Sequence, residues 1–529
     1  MSTSPPTRSI ARAAGSMSLA VLISRLLGLV REQVFAGFFG AGRAIDAFVV
    51  AFRIPNLLRD LFAEGALSTA FVTVFSQYDA KEGPERTWRL ANNVLTFLMI
   101  VVGGLTLAGI YFSPALVGLM APDFGQVPGK LELTALMTRI MFPFLLLVSL
   151  AALVMGILNT KGKFFLPALA SSFFNLGSIV AGVGLSFVAP HVGQPPIVGM
   201  AVGTLIGGLL QLLVQVPLLF RVGFRFRAVC DPWDPGLRQI FRLMLPAVLG
   251  LSAAQINIFI NTFYAARCPE GSISWLNYAY RLDHLPQGLF GVALSVATLP
   301  LASRLAARED VAGLRDACRA ALSLAMLLTL PAAAGLAVLA EPICALIYQY
   351  GRFTAYDTTQ TAAALVFYTL GLFAFSANKI LVPIFYALNN TAIPVAGSFL
   401  NVAANLVFIH LTLEALQHRA IALSMSLASN VSLLFLLALL HRRLDGLPLR
   451  ELLVTLVKVG LATGVMAGAA LTVHHAVAGL VPAGVLGRLL AVAAAVAAGV
   501  GVYGLLILRL RIPEAHDALR LLLRRPAGG

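Results

Sequence analysis

Charged side chains, cysteines and catalytic motifs are all scarce in this sequence. Only 12% of the 529 residues are charged, whereas soluble proteins contain about 25%. The cysteines do not lie at ligand spacing, so neither a disulfide framework nor a zinc site is indicated, and all of them are expected to be buried: Cys230, Cys268, Cys318 and Cys344. The sequence lacks Walker A, H-E-x-x-H and G-x-S-x-G motifs, so neither an enzyme nor a catalytic metal is expected.

Apolar residues dominate instead and make up 59% of the chain. A helix needs about 20 residues to cross the hydrocarbon core of a bilayer. Apolar runs of this length predict an all-α polytopic membrane protein with about 14 transmembrane helices, at 16–38, 44–77, 88–113, 131–158, 164–189, 194–221, 236–264, 272–303, 312–338, 356–388, 392–412, 418–441, 451–475 and 484–509. No cleavable signal peptide is recognisable, so the first helix is expected to remain.

The distribution of basic residues predicts the orientation of the chain, whose net charge is +15. With a cytoplasmic amino terminus, most lysines and arginines fall on inner loops and tails, and the outer loops hold only Arg43, Lys130, Arg267, Arg352 and Arg419. This positive-inside pattern explains the charge without nucleic acid and draws the inner face to anionic lipid. Both termini are then cytoplasmic. The basic C-terminal tail, at 510–529, is either an amphipathic surface helix or a solvated segment.

Two parts of the sequence resemble each other. AFRIPNLLRDLF, from Ala51, resembles AYRLDHLPQGLF, from Ala279, and Ser172–Asn175 resembles Ser398–Asn401, with offsets near 227 residues. Because six spans separate equivalent positions, we expect two six-helix lobes related by a parallel pseudo-two-fold axis. The predicted organisation is an N-lobe at 1–221, a C-lobe at 222–441, two extra C-terminal helices at 442–509 and a basic cytoplasmic tail at 510–529.

The first, second and eighth predicted spans carry charges that a helix facing lipid would rarely contain. A charge at mid-bilayer depth costs about 2.5–3.5 kcal/mol even on the lenient insertion scale, so such residues are expected to face a bundle interior or a water-filled cavity. Repeat transporters place their site between the lobes, on helices of this kind. The charged residues are Arg25, Arg31, Glu32, Asp46, Arg53, Arg59, Asp60, Glu64, Arg281 and Asp283.

Arginine is the informative residue type, because its planar fork stays charged and suits phosphate oxygens. The arginines therefore predict an anionic ligand, phosphate or pyrophosphate, held by Arg25, Arg31, Arg53, Arg59 and Arg281. The alternative is that internal acids neutralise them and the pairs only tie helices together, through Glu32, Asp46, Asp60, Glu64 or Asp283. His284, beside Asp283, is either a proton relay or a satisfied interior histidine.

Glycine and proline add three local expectations. Gly28 and the glycines after it should loosen the first helix, and Pro55 should permit a bend in the second. The spacing of Gly203 and Gly207 predicts close helix packing rather than a phosphate-binding loop.

Several short motifs together carry a family resemblance: Ser24–Gly28, Arg31–Glu32, Phe39–Gly42, Asp46–Phe48, Ala51–Arg59, Phe62–Ala66, Gly156–Thr160, Gly271–Trp275, Arg281–Leu282 and Gln349–Asp357. In these residues the chain resembles the MurJ (MviN) lipid II flippases of the MOP exporter superfamily. The resemblance implies two lobes that alternate access and two extra helices whose groove holds a polyprenyl tail. It implies an undecaprenyl-pyrophosphate-linked peptidoglycan precursor as substrate, moved from the inner to the outer leaflet of the bacterial cytoplasmic membrane for cell wall synthesis.

The same resemblance implies roles for individual residues. Arg31, Arg59 and Arg281 would hold the pyrophosphate, and further substrate contacts would come from Ser24, Arg25, Arg53, Asn56 and Ser274. Gating or charge pairing is implied for Glu32, Asp46, Glu64 and Asp283. Asp60 and His284 depart from the family pattern in the charge they carry. No cofactor or metal is expected; Na⁺, H⁺ or the membrane potential would drive transport, and the partners would be lipid II, membrane lipids and the cell-wall synthesis machinery.

Three rival functions are open at this point. The chain could carry another polyprenyl-pyrophosphate-linked glycan. A cation-coupled multidrug antiporter is the second rival, and its cavity should contain acidic residues rather than arginines. The third is a scaffold of the cell-wall machinery that transports nothing, which would tolerate loss of the cavity arginines.

Overall fold

The computed structural model describes residues 6–60, 66–482, 484–510 and 512–516, and every regular element in these ranges is helical. The all-α prediction is therefore confirmed. The first half of the chain contains α1 (Pro6–Phe39), α2 (Arg43–Arg59), α3 (Ala66–Lys81), α4 (Gly83–Tyr111), α5 (Ser113–Met120), α6 (Lys130–Met141), α7 (Pro143–Thr160), α8 (Phe165–Val188), α9 (Ile197–Leu213), α10 (Val216–Arg221) and α11 (Pro235–Ala265). Short 3₁₀ helices lie at Pro122–Gln126 and Ala189–Val192.

The second half contains ten further α-helices and one π-helical turn, at Gln287–Gly291. The α-helices are α12 (Ser272–Pro286), α13 (Val292–Ala307), α14 (Val311–Val338), α15 (Ala340–Tyr348), α16 (Ala355–Thr369), α17 (Leu372–Ala387), α18 (Ala392–Leu416), α19 (His418–Arg443), α20 (Leu449–Ala478) and α21 (Val485–Arg509).

Ten helical segments of the described chain are long and apolar enough to cross a membrane, and two bent pairs raise this number to 12. These segments correspond to the third to fourteenth predicted spans. The predicted total of 14 is thus not confirmed. The predicted second span, at 44–77, contains two helices, α2 and α3, on either side of residues 61–65, which lie outside the described ranges together with Glu64.

Packing divides the chain into two compact units, Met1–Gly271 and Ser272–Gly529. In the core of the first unit, Phe71 of α3 packs with Leu90 of α4 and Ile240 of α11. Helix α11, which the repeat assigns to the C-lobe, therefore packs with the first unit. The lobe boundaries derived from the repeat stay a prediction.

Helix α1 is continuous over 34 residues, so the expectation that its glycines loosen it is wrong. The helix ends at Phe39 and is followed by Gly40, whose φ of 70° lies in the left-handed region that a residue without a Cβ adopts at low cost. Pro55 lies inside α2, which is helical on both sides of it.

Helices α8 and α9 approach each other closely at glycine residues. A Cβ added to Gly203 would lie 2.3 Å from the Gly182 Cα, and one added to Gly207 would lie 2.5 Å from the Phe174 carbonyl oxygen. The close packing predicted at these glycines is therefore confirmed, because a side chain at either position would collide with the neighbouring backbone.

An extended segment between α10 and α11 is bound to α4. The Arg227 N–H donates to the Asn92 side chain at 2.9 Å, and the Asn93 side chain exchanges two hydrogen bonds of 2.8 Å with the backbone of Asp231.

The cysteines differ in burial. Cys230 lies exposed on this segment, and Cys268, after α11, is only partly buried. The expectation of buried cysteines is thus wrong for Cys230 and holds fully for Cys318 and Cys344.

The two helices beyond the repeat, α20 and α21, pack against each other and against α14. Val459 of α20, Ile507 of α21 and Leu327 of α14 share one buried cluster, and the Tyr503 hydroxyl donates to the Leu327 carbonyl at 2.7 Å. Ile512, just after α21, joins the same cluster. The extra helices are therefore docked on the second unit through α14.

A short part of the predicted basic tail is described, and it is anchored to this unit. Arg319 Nη1 of α14 donates to Glu514 Oε1 at 2.5 Å, and Lys458 Nζ of α20 donates to the Leu510 carbonyl at 3.2 Å. The prediction of an amphipathic or solvated tail falls largely on residues 517–529, outside the described ranges.

Replacing Gly203 by valine should destabilise the α8–α9 pair, because the side chain would meet backbone that cannot move aside. We expect a cost of about 1–3 kcal/mol, typical of overpacking, measured as a lower thermal unfolding midpoint of the detergent-solubilised protein. The matched control is Gly184→Val in α8, where an added Cβ meets nothing within 4 Å. Equal midpoints for the two variants would contradict the packing described here.

Candidate functional site

Arg31, in the C-terminal part of α1, is buried inside the first unit. Arg31 is 7% exposed and forms an ion pair with Glu32, with 2.9 Å between Nη2 and Oε1. Its guanidinium carbon lies 5.3 Å from the ring centroid of Phe174, on α8. A buried guanidinium beside an aromatic face and a carboxylate is a site where positive charge is held away from lipid.

Two more of the arginines predicted to bind the ligand lie on α2. Arg53 Nη1 donates to Thr262 Oγ1 of α11 at 2.6 Å. Arg59 donates from Nε and Nη2 to Asp60 Oδ1 at 3.1 and 2.8 Å. Between them in sequence, the buried Oδ1 of Asn56 has no hydrogen-bond partner within the described ranges. This oxygen can accept a hydrogen bond from a ligand, which is chemistry that the arginines cannot supply.

Ser24 and Arg25 are the other two candidate residues on α1. The Ser24 carbonyl accepts a hydrogen bond from Asn175 Nδ2 of α8 at 3.1 Å, whereas the Arg25 side chain is exposed. Arg25 and Arg31 are six residues apart, which is about 240° around an α-helix. The helical period therefore places Arg25 and Arg31 in different surroundings.

Asp46 joins three parts of the first unit. It is 2% exposed, and its Oδ2 accepts from Lys130 Nζ of α6 at 3.4 Å and from the Gly271 N–H at 2.8 Å. Lys130 is also buried, and its ammonium lies 4.2 Å from the ring centroid of Phe124. A carboxylate with these partners holds the start of α2, the start of α6 and the end of the loop after α11 together.

The loop after α11 makes further contacts with the start of α2. Glu270 Oε1 accepts from the Arg43 N–H at 2.8 Å, so a carboxylate occupies the N-terminus of α2, where the helix dipole favours negative charge. The Arg43 guanidinium donates to the Pro128 carbonyl. Arg267 pairs with Asp123 at 3.4 Å. These charged loop residues stabilise one end of the unit.

In the second unit, neighbouring residues of α12 lie in different environments. Asp283 is fully buried and accepts a hydrogen bond from Gln287 Nε2 at 2.6 Å. Arg281 and His284 are exposed, and the His284 ring stacks on Tyr280 with 5.2 Å between centroids. Gln287 begins the π-helical turn, a distortion frequent at functional sites. The pairing and relay roles of Asp283 and His284 stay predictions.

Two sequence motifs meet at the start of α12. Ser274 is buried, and the adjacent Trp275 Nε1 donates to Asp357 Oδ1 of α16 at 2.9 Å. Asp357 also forms a capping box with Thr354 at the start of α16. Asp357 thus fixes the beginning of α12 relative to that of α16.

Several partners were missed by reasoning from the sequence. Lys130 was expected as an outer-loop charge, and Thr262 was not among the candidate residues. Gln287 lies four residues after Asp283 on the same helical path, a spacing that predicts contact between the two side chains. In the ranges that the structure describes, no group of three or more His, Cys, Asp or Glu residues could hold a metal ion.

Known proteins resemble this chain in both sequence and fold. A sequence model of the family described as "Lipid II flippase MurJ" matches residues 35–491. The "Probable lipid II flippase MurJ" of Vibrio cholerae is 37% identical over 79% of this chain and 81% of its own. The "Lipid II flippase MurJ" of Burkholderia cenocepacia is 37% identical over 82% of this chain and 84% of its own.

Two solved structures share the fold. One, titled "Lipid II flippase MurJ, inward closed conformation", has a TM-score of 0.75 at 24% identity, over 93% of this chain and 99% of its own. The other is an inward-facing multidrug resistance MATE family transporter of the MOP superfamily, with a TM-score of 0.67 at 17% identity, over 82% of this chain and 98% of its own.

The Asp46–Lys130 pair should show strong coupling in a double-mutant cycle. Asp46→Leu leaves a buried ammonium without its carboxylate, and loss of one partner of a buried pair costs about 3–5 kcal/mol. We expect a large fall in the thermal unfolding midpoint for that variant and partial recovery in Asp46→Leu/Lys130→Met. Lys163→Met, at an exposed lysine after α7, serves as the control. Additive effects of the two substitutions would show that the pair does not stabilise the unit.

Proposed function

The chain belongs to the MurJ family of lipid II flippases, and from this premise we propose how its arginines and its extra helices act on the substrate. It is a multi-pass membrane transporter, a lipid II flippase of the bacterial inner membrane, and not an enzyme. In our proposal the undecaprenyl-pyrophosphate-linked precursor enters from the inner leaflet and leaves to the outer leaflet by alternating access.

We assign the pyrophosphate to Arg31, Arg59 and Arg281. The observation that carries this assignment for Arg31 and Arg59 is the charge balance of residues 24–64, and Arg281 is assigned from the family resemblance. From Ser24 to Glu64 the chain has five arginines and four acids. One of those acids, Asp46, binds Lys130. Positive charge therefore exceeds negative charge in this stretch, which suits a doubly charged phosphate ligand.

The ion pairs of Arg31 and Arg59 are compatible with this role. Each pairs with the residue that follows it, Glu32 or Asp60, so these pairs do not depend on contact between distant helices. A guanidinium offers five N–H donors in a planar fork, and pyrophosphate oxygens can compete with a carboxylate for them. Ser24, Arg25, Arg53, Asn56 and Ser274 are proposed as further substrate contacts, and Glu32, Asp46, Glu64 and Asp283 as gating or pairing residues.

For the polyprenyl tail we propose the surface of α20 and α21. Helix α20 exposes Leu453, Val457, Leu461 and Val465, which recur every four residues along one side of the helix. Exposed fractions of 53–66% on this apolar stripe suit contact with an isoprenoid chain or with lipid.

The orientation, energy source and partners complete the proposal. The positive-inside pattern supports cytoplasmic termini. The membrane potential, or a coupled Na⁺ or H⁺ gradient, would drive transport, since moving one charge across 100 mV is worth about 2.3 kcal/mol. The cell-wall synthesis machinery, which uses the flipped precursor, is the proposed protein partner.

Neutralising the arginines alone and together with their acids should separate ligand binding from structural pairing. We expect Arg31→Gln, Arg59→Gln and Arg281→Gln each to abolish growth of a bacterium depleted of its own lipid II flippase, with lipid II retained in the inner leaflet. The doubles Arg31→Gln/Glu32→Gln and Arg59→Gln/Asp60→Asn should fail equally, because restoring neutrality does not restore phosphate binding.

The matched control is Arg352→Gln, an exposed arginine in the loop after α15, and all variants are compared at equal expression in membranes. Rescue by the neutral doubles would show that the arginines act only as partners of their acids. If a well-expressed wild type fails to rescue, the assignment of lipid II as substrate is wrong.

Two native cysteines should report the orientation of α11. Cys230 precedes this helix and Cys268 follows it, so a membrane-spanning α11 puts them on opposite sides. We expect a membrane-impermeant maleimide to label Cys230 only in inverted vesicles. Burial raises the pKa of the Cys268 thiol to about 12, so labelling of Cys268 from outside should be slow and should accelerate as the pH rises. Cys230→Ser and Cys268→Ser identify each signal, and labelling of Cys230 in intact cells would invert the topology.

A further inference from the structure

A cavity of about 620 Å³ lies within the second unit, where the end of α20 and the start of α21 meet α15 and α16. Sites for small molecules span about 300–1,000 Å³, so the space suits a headgroup-sized guest. The cavity is separate from the arginines assigned to the pyrophosphate, and none of those arginines lines it.

Two opposite charges line this cavity without pairing. Arg488 of α21 donates to the Ala345 carbonyl at 3.3 Å, and Glu341 of α15 accepts from the Thr359 hydroxyl at 3.3 Å. Within the described ranges neither side chain takes part in a salt bridge. A guest with an anionic and a cationic group can therefore satisfy both residues at once, and His474 and His475 offer further ring nitrogens.

Apart from Gln349 and Thr358, the remaining wall of the cavity is largely apolar. Leu471, Val481 and Val492 line it beside the charged pair. Near its rim, Leu480 is 84% exposed and Leu486 is 69% exposed. Both lie at or next to the ends of helices that can span a membrane, where an exposed apolar patch suits contact with lipid.

We propose that this cavity binds a zwitterionic glycerophospholipid whose headgroup carries a phosphodiester and a primary ammonium. The phosphate binds Arg488, the ammonium binds Glu341, and an acyl chain lies along the apolar wall. Bound in this way, the lipid links α15 to α21. The site is additional to the flippase activity and does not depend on the substrate assignment above.

The test uses the full-length protein, delipidated in detergent and titrated with phosphatidylethanolamine or phosphatidylglycerol under native mass spectrometry. Phosphatidylglycerol has the phosphodiester but no ammonium. We expect tighter binding of phosphatidylethanolamine by about tenfold, as for a charged hydrogen bond. Arg488→Gln should weaken both lipids, whereas Glu341→Gln should remove only the preference for phosphatidylethanolamine.

Matched controls come from charged residues outside the cavity, Arg509→Gln at the other end of α21 and Glu414→Gln on α18, both exposed. These variants should bind like the wild type. Equal binding of the two lipids by the wild type would overturn the proposal, as would unchanged preference in Glu341→Gln. Glycerophosphoethanolamine, the headgroup without acyl chains, should bind far more weakly than the lipid; equal binding would assign the cavity to a soluble phosphate ester and overturn the lipid assignment.

Discussion

The cost of placing charge in a membrane is the constraint on which the first unit depends. Arg31 is held between Glu32 and an aromatic ring, and Asp46 is held by Lys130 and a backbone amide. Each arrangement compensates a charge that lipid could not solvate. The helices that carry these residues are thereby held together, so the same contacts that make the charges tolerable also organise the fold.

The two kinds of pair differ in what they permit. Asp46 and Lys130 are far apart in sequence and join separate helices, so their separation would loosen the unit. Arg31 and Arg59 pair with the next residue along the chain, and exchange of the carboxylate for a ligand oxygen need not move any helix. This difference suits a structural role for the Asp46–Lys130 pair and substrate roles for Arg31 and Arg59. Such roles agree with a flippase that must bind and release an anionic headgroup.

The extra helices, α20 and α21, limit the cost of charge in the membrane by carrying few charged residues. The cluster that they share with α14 is apolar, apart from the hydrogen bond of Tyr503, and α20 exposes an apolar stripe along one side. Arg488 of α21 is an exception, since it shares a cavity with Glu341 of α15 without an ion pair between them. A lipid headgroup supplies both missing charges there, so the bilayer itself becomes part of how these helices are held.

The sequence by itself determined the all-α membrane class, the family and the close approach at Gly203, because hydropathy, motifs and glycine spacing are local properties of the chain. The predicted count of 14 spans is not confirmed, and the expectation that glycines loosen α1 was wrong, because the helix continues through them while it packs against α8. Only the tertiary structure decided that Lys130 binds Asp46 and that Thr262 binds Arg53, across 84 and 209 residues. No linear pattern encodes such pairs, because the choice of partner depends on which helices the folded unit brings together.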